Sequence, residues 1–165
     1  MTGRRRRRFA SFAAVATLFA LLFADLAGAD PFGSWSGTKG PFAWDAHRVG
    51  CGTVGRRPSV IRAHTRWRDS PANGYVRLTF IRQIRDDTTG EWSTVQRQRR
   101  TTKNTSLEGS SAVIHWTQWF FPFADEAGAR SRHSVVFDWF RDRPGRDGRL
   151  LRRELAFRPC VVGPH

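Results

Sequence analysis

Catalytic punctuation is the first thing this chain lacks. Its five histidines, His47, His64, His115, His133 and His165, fall into no HxH, HExxH or cysteine–histidine zinc spacing. A metal site would therefore have to be assembled across distant segments. No GxSxG turn is present to raise a nucleophilic serine. Ser134 beside His133 does not replace it, because neighbours on an extended chain point to opposite sides. Nothing in the sequence places two of Asp125, Glu126, Asp138 and Glu154 at the ~5–10 Å separation of a glycoside-cleaving pair. Asp86, Asp87 and Glu91 match no calcium-loop pattern and read as turn-forming acids. These absences point away from an enzyme, and no cofactor is expected.

Long apolar runs are equally scarce. The one present, Phe9 to Ala24, holds 16 residues, short of the ~20 that a membrane-spanning helix needs. Five arginines, Arg4 to Arg8, precede it, and Ala27-Gly28-Ala29 follows. A positive start, an apolar middle and a small-x-small site read as a secretory signal peptide over residues 1–29, cleaved after Ala29. No cysteine follows that site, so lipoprotein processing is not expected, while Arg6-Arg7-Arg8-Phe9 also fits a twin-arginine signal. The expected product is secreted and extracellular. Cleavage would remove five of the 28 basic residues and one of the 14 acidic ones, leaving residues 30–165 with net charge +10.

Cysteine is limited to Cys51 and Cys160. In an oxidising compartment the pair reads as one disulfide, since redox-active cysteines usually lie close together as CxxC. Closing so long a loop contributes ~4–5 kcal/mol in the chain-entropy model. The bond would tie the N-terminal part of the domain to its C-terminal tail.

Helical stripes are missing too, and extended runs take their place. Ser59 to Trp67 alternates Ile61, Ala63, Thr65 and Trp67 with Arg62, His64 and Arg66, the period of a half-buried strand. Tyr75 to Arg85 sets Val76, Leu78, Phe80 and Ile84 against Tyr75, Arg77, Thr79 and Gln83. Asp86 to Gly90 reads as a hairpin loop. Trp92 to Thr102 is polar enough for a charge-protected edge strand. Ser111 to Phe121, His133 to Arg141 and Arg149 to Phe157 continue the series, the last two around a loop at residues 142–148. With Phe42 to Val49 this makes about seven strands. The pattern predicts an all-β fold: an antiparallel β-sandwich of immunoglobulin-like or fibronectin-like architecture with one disulfide. Residues 30–42 read as a flexible lead-in and 43–165 as a single domain.

Lysine is nearly absent, and arginine replaces it: 26 of the 28 basic residues. Arg62, Arg66, Arg77, Arg82, Arg85, Arg97 and Arg99 alternate along strands. Of these, Arg62, Arg66, Arg77, Arg97 and Arg99 are the candidate anion-binding residues, able to grip phosphate, sulfate or carboxylate bidentately if they share a face. The expected function is a secreted, non-catalytic interaction module for an anionic extracellular or cell-envelope polymer, with no intracellular nucleic acid as partner. Seven tryptophans supply an alternative, a carbohydrate-binding module. Trp116 and Trp119, three apart in a strand, are the candidate aromatic contacts, with Trp119-Phe120-Phe121-Pro122-Phe123 as a candidate exposed patch. A further alternative is a secreted hydrolase whose histidine and carboxylate come from different strands. Asn104-Thr105-Ser106 is a glycosylation sequon.

Overall fold

Alternating inward and outward side chains build nine strands among the described residues, which in this computed structural model are 34–68, 70, 74–103, 112–145 and 148–164. In chain order they are β1 (Ser34–Lys39), β2 (Phe42–Val49), β3 (Ser59–Trp67), β4 (Tyr75–Arg85), β5 (Trp92–Lys103), β6 (Ala112–Phe120), β7 (Arg130–Phe140), β8 (Arg149–Ala156) and β9 (Cys160–Val161). They form two antiparallel sheets, ordered β1-β2-β3-β6 and β5-β4-β7-β8, with β9 added to the start of β7. A 3-10 turn at Ala124–Glu126 precedes β7, and no α-helix occurs among the described residues. The segment read as a signal peptide and the Asn104–Ser106 sequon lie outside the described residues.

The count of seven strands is corrected by β1 and β9. Residues 34–39, inside the expected flexible lead-in, pair with β2 along their whole length. Gly37, which read as linker, stands opposite Trp44, and a β-carbon there would come within 2.6 Å of the indole. Its missing side chain is the space that the tryptophan fills. Strand β9 is only two residues long and escapes any periodicity test.

The core follows the predicted parity. On β3, Ile61, Ala63, Thr65 and Trp67 turn inward while Arg62 and Arg66 face out. Val76, Leu78 and Phe80 of β4 and Val135, Phe137 and Trp139 of β7 meet them from the second sheet. Trp139 is fully buried, with Phe42 and Trp44 of the first sheet at ring distances of 5.1 and 5.8 Å. Its indole N–H donates to Thr65 Oγ1 at 3.1 Å, a polar link between the sheets. Truncating a buried aromatic of this kind typically costs about 3–5 kcal/mol.

Cys51, just past β2, and Cys160, which opens β9, form the expected disulfide, with Cα atoms 5.8 Å apart. The C-terminal tail beyond it is threaded between the loop after β2 and the approach to β7. Val54 N–H donates to the Gly163 carbonyl at 3.1 Å and Gly163 N–H to the Gly52 carbonyl at 2.9 Å. On the other side, Gly128 N–H donates to Val162 and Val162 N–H to Ala129.

One arginine leaves the series expected on the surface. Arg82 follows Phe80 by two residues and shares its inward face, completely buried. Its guanidinium makes a bidentate pair with Glu126 of the 3-10 turn, Nη1 to Oε1 at 3.1 Å and Nη2 to Oε2 at 2.6 Å. Glu126 Oε2 also accepts from Phe123 N–H at 2.7 Å, holding the turn. Nearby, Arg48 of β2 is buried, donating to the Arg158 carbonyl at 2.7 Å with its guanidinium 5.7 Å from the Phe157 ring centre. His133, opposite Arg82 in register, is fully buried against Phe120. Burial, then the charges of Arg48 and Arg82, push its imidazole down to about 3 from 6.5. It stays neutral.

Two outcomes follow for stability. Arg82→Met strands a buried carboxylate and should cost about 3–5 kcal/mol in urea denaturation. Adding Glu126→Leu should return most of that loss, and equal stability of the two variants would contradict a structural pair. For His133, the folded value lies below the unfolded one, so the unfolded chain takes up the proton first as pH falls. Its contribution is complete above pH about 6.5 and declines toward pH 3 by up to about 1.4 kcal/mol per unit. Between pH 6.5 and 5 the wild type should therefore lose about 2 kcal/mol more than His133→Phe.

Candidate anion-binding face

The strands divide the five nominated arginines between the outward faces of the two sheets. Arg62 and Arg66 stand on β3, in the first sheet. Arg77 on β4 and Arg97 and Arg99 on β5 stand on the outward face of the second. There the register adds residues that the sequence reading did not nominate. Asp138 of β7 lies between Arg77 and Arg152 of β8, and Phe140 lies between Tyr75 and Arg149. Arg132 stands opposite Gln83. Arg149 and Arg152 were visible as charges, but only strand pairing shows that they reach the same carboxylate as Arg77.

Asp138 is the centre of this face. Its side chain is only 2% exposed, and Arg77 donates to Oδ2 from Nε at 3.3 Å and from Nη2 at 3.2 Å. Arg149 and Arg152 approach Oδ1 at 3.5 and 3.7 Å while remaining 41% and 49% exposed. Three guanidiniums thus gather round one carboxylate, and two positive charges are left over. Arg77 is pinned further by lying over the Phe140 ring, 4.8 Å from its centre. Arg132 is fixed in the same manner, 4.5 Å over Trp92, while its Nε and Nη2 donate to Gln83 Oε1 at 3.0 and 2.8 Å. Arg97 and Arg99 are exposed on the edge strand beside them. Guanidiniums held in this way lose less freedom when they bind an oxyanion.

The outward face of the first sheet carries a different arrangement. A shallow depression of about 270 Å³ is lined by Ala43, Asp45, His64, Arg66, Val113 and His115 among others. His64 Nδ1 lies 3.0 Å from Asp45 Oδ2, and the His64 and His115 rings are 4.5 Å apart. Periodicity alone did not bring these three together; the β2–β3–β6 register does. The carboxylate orients the imidazole, but among the described residues that line the depression no free hydroxyl or thiol accompanies the pair. The Thr65 hydroxyl in the lining turns inward and donates to the Ala43 carbonyl at 2.8 Å. Among the described residues no three His, Cys, Asp or Glu side chains converge as metal ligands.

The aromatic candidates separate as their spacing implies. Trp116 packs against the core with Arg100 over its ring at 5.3 Å, and Trp119 on the opposite face is 53% exposed. Phe121 and Phe123 continue the exposed series at 63% and 52%, while Phe120 and Pro122 between them are buried. Asp86 serves its hairpin: Oδ1 accepts from Thr88 and Thr89 N–H at 2.7 and 2.8 Å. Those bonds, Thr89 first, hold its carboxyl below the usual range.

No protein-family model, curated protein or solved structure matches this chain.

Replacing the shared carboxylate should separate stability from charge. Asp138→Asn removes the anion from among three guanidiniums and should cost about 1–3 kcal/mol in denaturant unfolding. The same change should tighten retention on an immobilised polyanion, because one competing negative charge is gone. A variant that unfolds more easily yet binds no better would argue against this face.

Proposed function

We propose that this chain is a secreted, non-catalytic binding module whose arginine-rich sheet face takes an anionic extracellular or cell-envelope polymer. The observation that carries the reading is the Arg77, Arg149 and Arg152 cluster, which shares a single carboxylate and leaves a positive surplus beside Arg97 and Arg99. Guanidiniums are suited to phosphate and sulfate because their forked N–H groups match oxyanion geometry. The Cys51–Cys160 disulfide is compatible with an oxidising compartment, as is the signal-like start of the chain.

The architecture that fits this role is a β-sandwich of immunoglobulin-like or fibronectin-like kind. With β1 and β9 set aside, β2, β3 and β6 take the places of strands A, B and E. Strands β5, β4, β7 and β8 then take those of C′, C, F and G. Such a scaffold presents a whole sheet face to a partner without a cleft.

A second reading has its own observation. The exposed rings of Trp119, Phe121 and Phe123 form an apolar strip at one end of β6, and exposed aromatics favour carbohydrate contacts by stacking on sugar rings. Tryptophan fluorescence titrated with a panel of soluble glycans distinguishes it, since a response abolished by Trp119→Ala would favour the strip.

For the primary reading, retention on heparin should fall steeply with salt. Replacing Arg97 and Arg99 with alanine should lower the salt slope by about one per arginine that contacts an anion. The matching Arg62/Arg66 double substitution, on the other sheet, should change it less. Elution of the wild type at low salt would contradict the reading.

A further inference from the structure

The same face carries information about which polyanion it takes, an inference that rests on the function proposed above. Polymers that bear phosphate come with bases, as in nucleic acids, or without them, as in polyphosphate and phosphate-bearing envelope polymers. Proteins that hold single-stranded nucleic acid add free aromatic faces to a basic groove, and each stacked base contributes about 1–3 kcal/mol. Whether rings are open to stacking therefore separates the two.

On the outward face of the β5-β4-β7-β8 sheet, the rings that lie among the arginines are already covered. Phe140 is completely buried, with the Arg77 guanidinium over it at 4.8 Å. Trp92 is half-buried, with Arg132 over it at 4.5 Å. Both guanidiniums are held from a second side, Arg77 by Asp138 and Arg132 by Gln83. Displacing either to admit a base would break charge-assisted or paired hydrogen bonds together with a cation–π contact. Tyr75, a further ring of this face, is half-buried at the end of the sheet in register with Phe140 and Lys103, too isolated to seat successive bases. Among the described residues, the exposed rings of Trp119, Phe121 and Phe123 belong to β6 and the segment after it.

We infer that this face recognises phosphate or sulfate groups on a base-free polymer, and that it draws no binding from nucleobases. The rings act as platforms that fix guanidinium orientation, and the N–H edges of Arg77, Arg132, Arg149 and Arg152 carry recognition. Bound nucleic acid would be held by its phosphates alone.

The test compares probes of equal charge: oligo(dT) and an abasic deoxyribose-phosphate chain of the same length, with long-chain polyphosphate as the base-free polymer. Affinity is read at several salt concentrations alongside tryptophan emission. The inference expects oligo(dT) and the abasic chain to bind within about twofold of each other, without quenching of tryptophan, and polyphosphate to bind with a steep salt slope. In Arg132→Gln, which uncovers Trp92, oligo(dT) should gain at least about fivefold over the abasic chain and should quench emission. Wild-type protein that prefers oligo(dT) by about fivefold or more, with quenching, overturns the inference and leaves the anion-binding reading standing. Absence of salt-dependent binding to all three probes overturns both.

Discussion

Trp139 holds the arrangement on which the rest of the structure depends. Its indole lies between the sheets, touches Phe42, Trp44 and Phe137, and donates its N–H to Thr65 on the facing sheet. A ring that satisfies its polar atom and its apolar surface in one place allows one register for β7. With that register, Asp138 and Phe140 must point outward while His133, Val135 and Phe137 point in. The positions of Arg77, Arg149 and Arg152 around Asp138 follow from it through cross-strand pairing. A one-residue slip of β7 would turn the Asp138 carboxylate away from its arginines into the apolar core and turn the core residues outward.

Arginine plays two physically different parts here. Arg48 and Arg82 are interior groups at the disulfide end, where Glu126, the Arg158 carbonyl and the Phe157 ring meet their charge. There burial, with their charges added to it, keeps His133 neutral, and Arg82 through Glu126 fixes the 3-10 turn that leads into β7. The surface arginines are held from outside the core: Arg77 by the Phe140 ring and Asp138, Arg132 by the Trp92 ring and Gln83, and Arg149 and Arg152 beside the same Asp138. Parity decides the class: Arg82 is two residues from Phe80 and goes in, whereas Arg77 is one residue from Val76 and goes out.

Much of the fold was legible because strand periodicity is local. The boundaries of β3 and β4 coincide with the runs read from alternation, β2 with the strand expected at Phe42 to Val49, and β5 occupies the edge that its polar composition implied. Strand β1 was not legible, because Ser36, Gly37, Thr38 and Lys39 after Trp35 give no apolar alternation and its reason for pairing, the space over Gly37 taken by Trp44, is a contact between strands. The candidate site was legible in part. Arg77, Arg97 and Arg99 share a face, but Arg62 and Arg66 belong to the other sheet. Arg149 and Arg152 join the first group only through the β7–β8 register.

The amino-acid order alone determined which residues alternate, which two cysteines are there to pair and how strongly positive the chain is, because these depend on covalent sequence and period-two geometry. Tertiary structure decided which sheet each strand joined. It therefore decided which charges became neighbours, which rings were covered by guanidiniums, and that Asp45, His64 and His115 meet on one face. Proximity across strands is set by long-range pairing and by packing around Trp139, and residues 61 positions apart such as Arg77 and Asp138 carry no local trace of it.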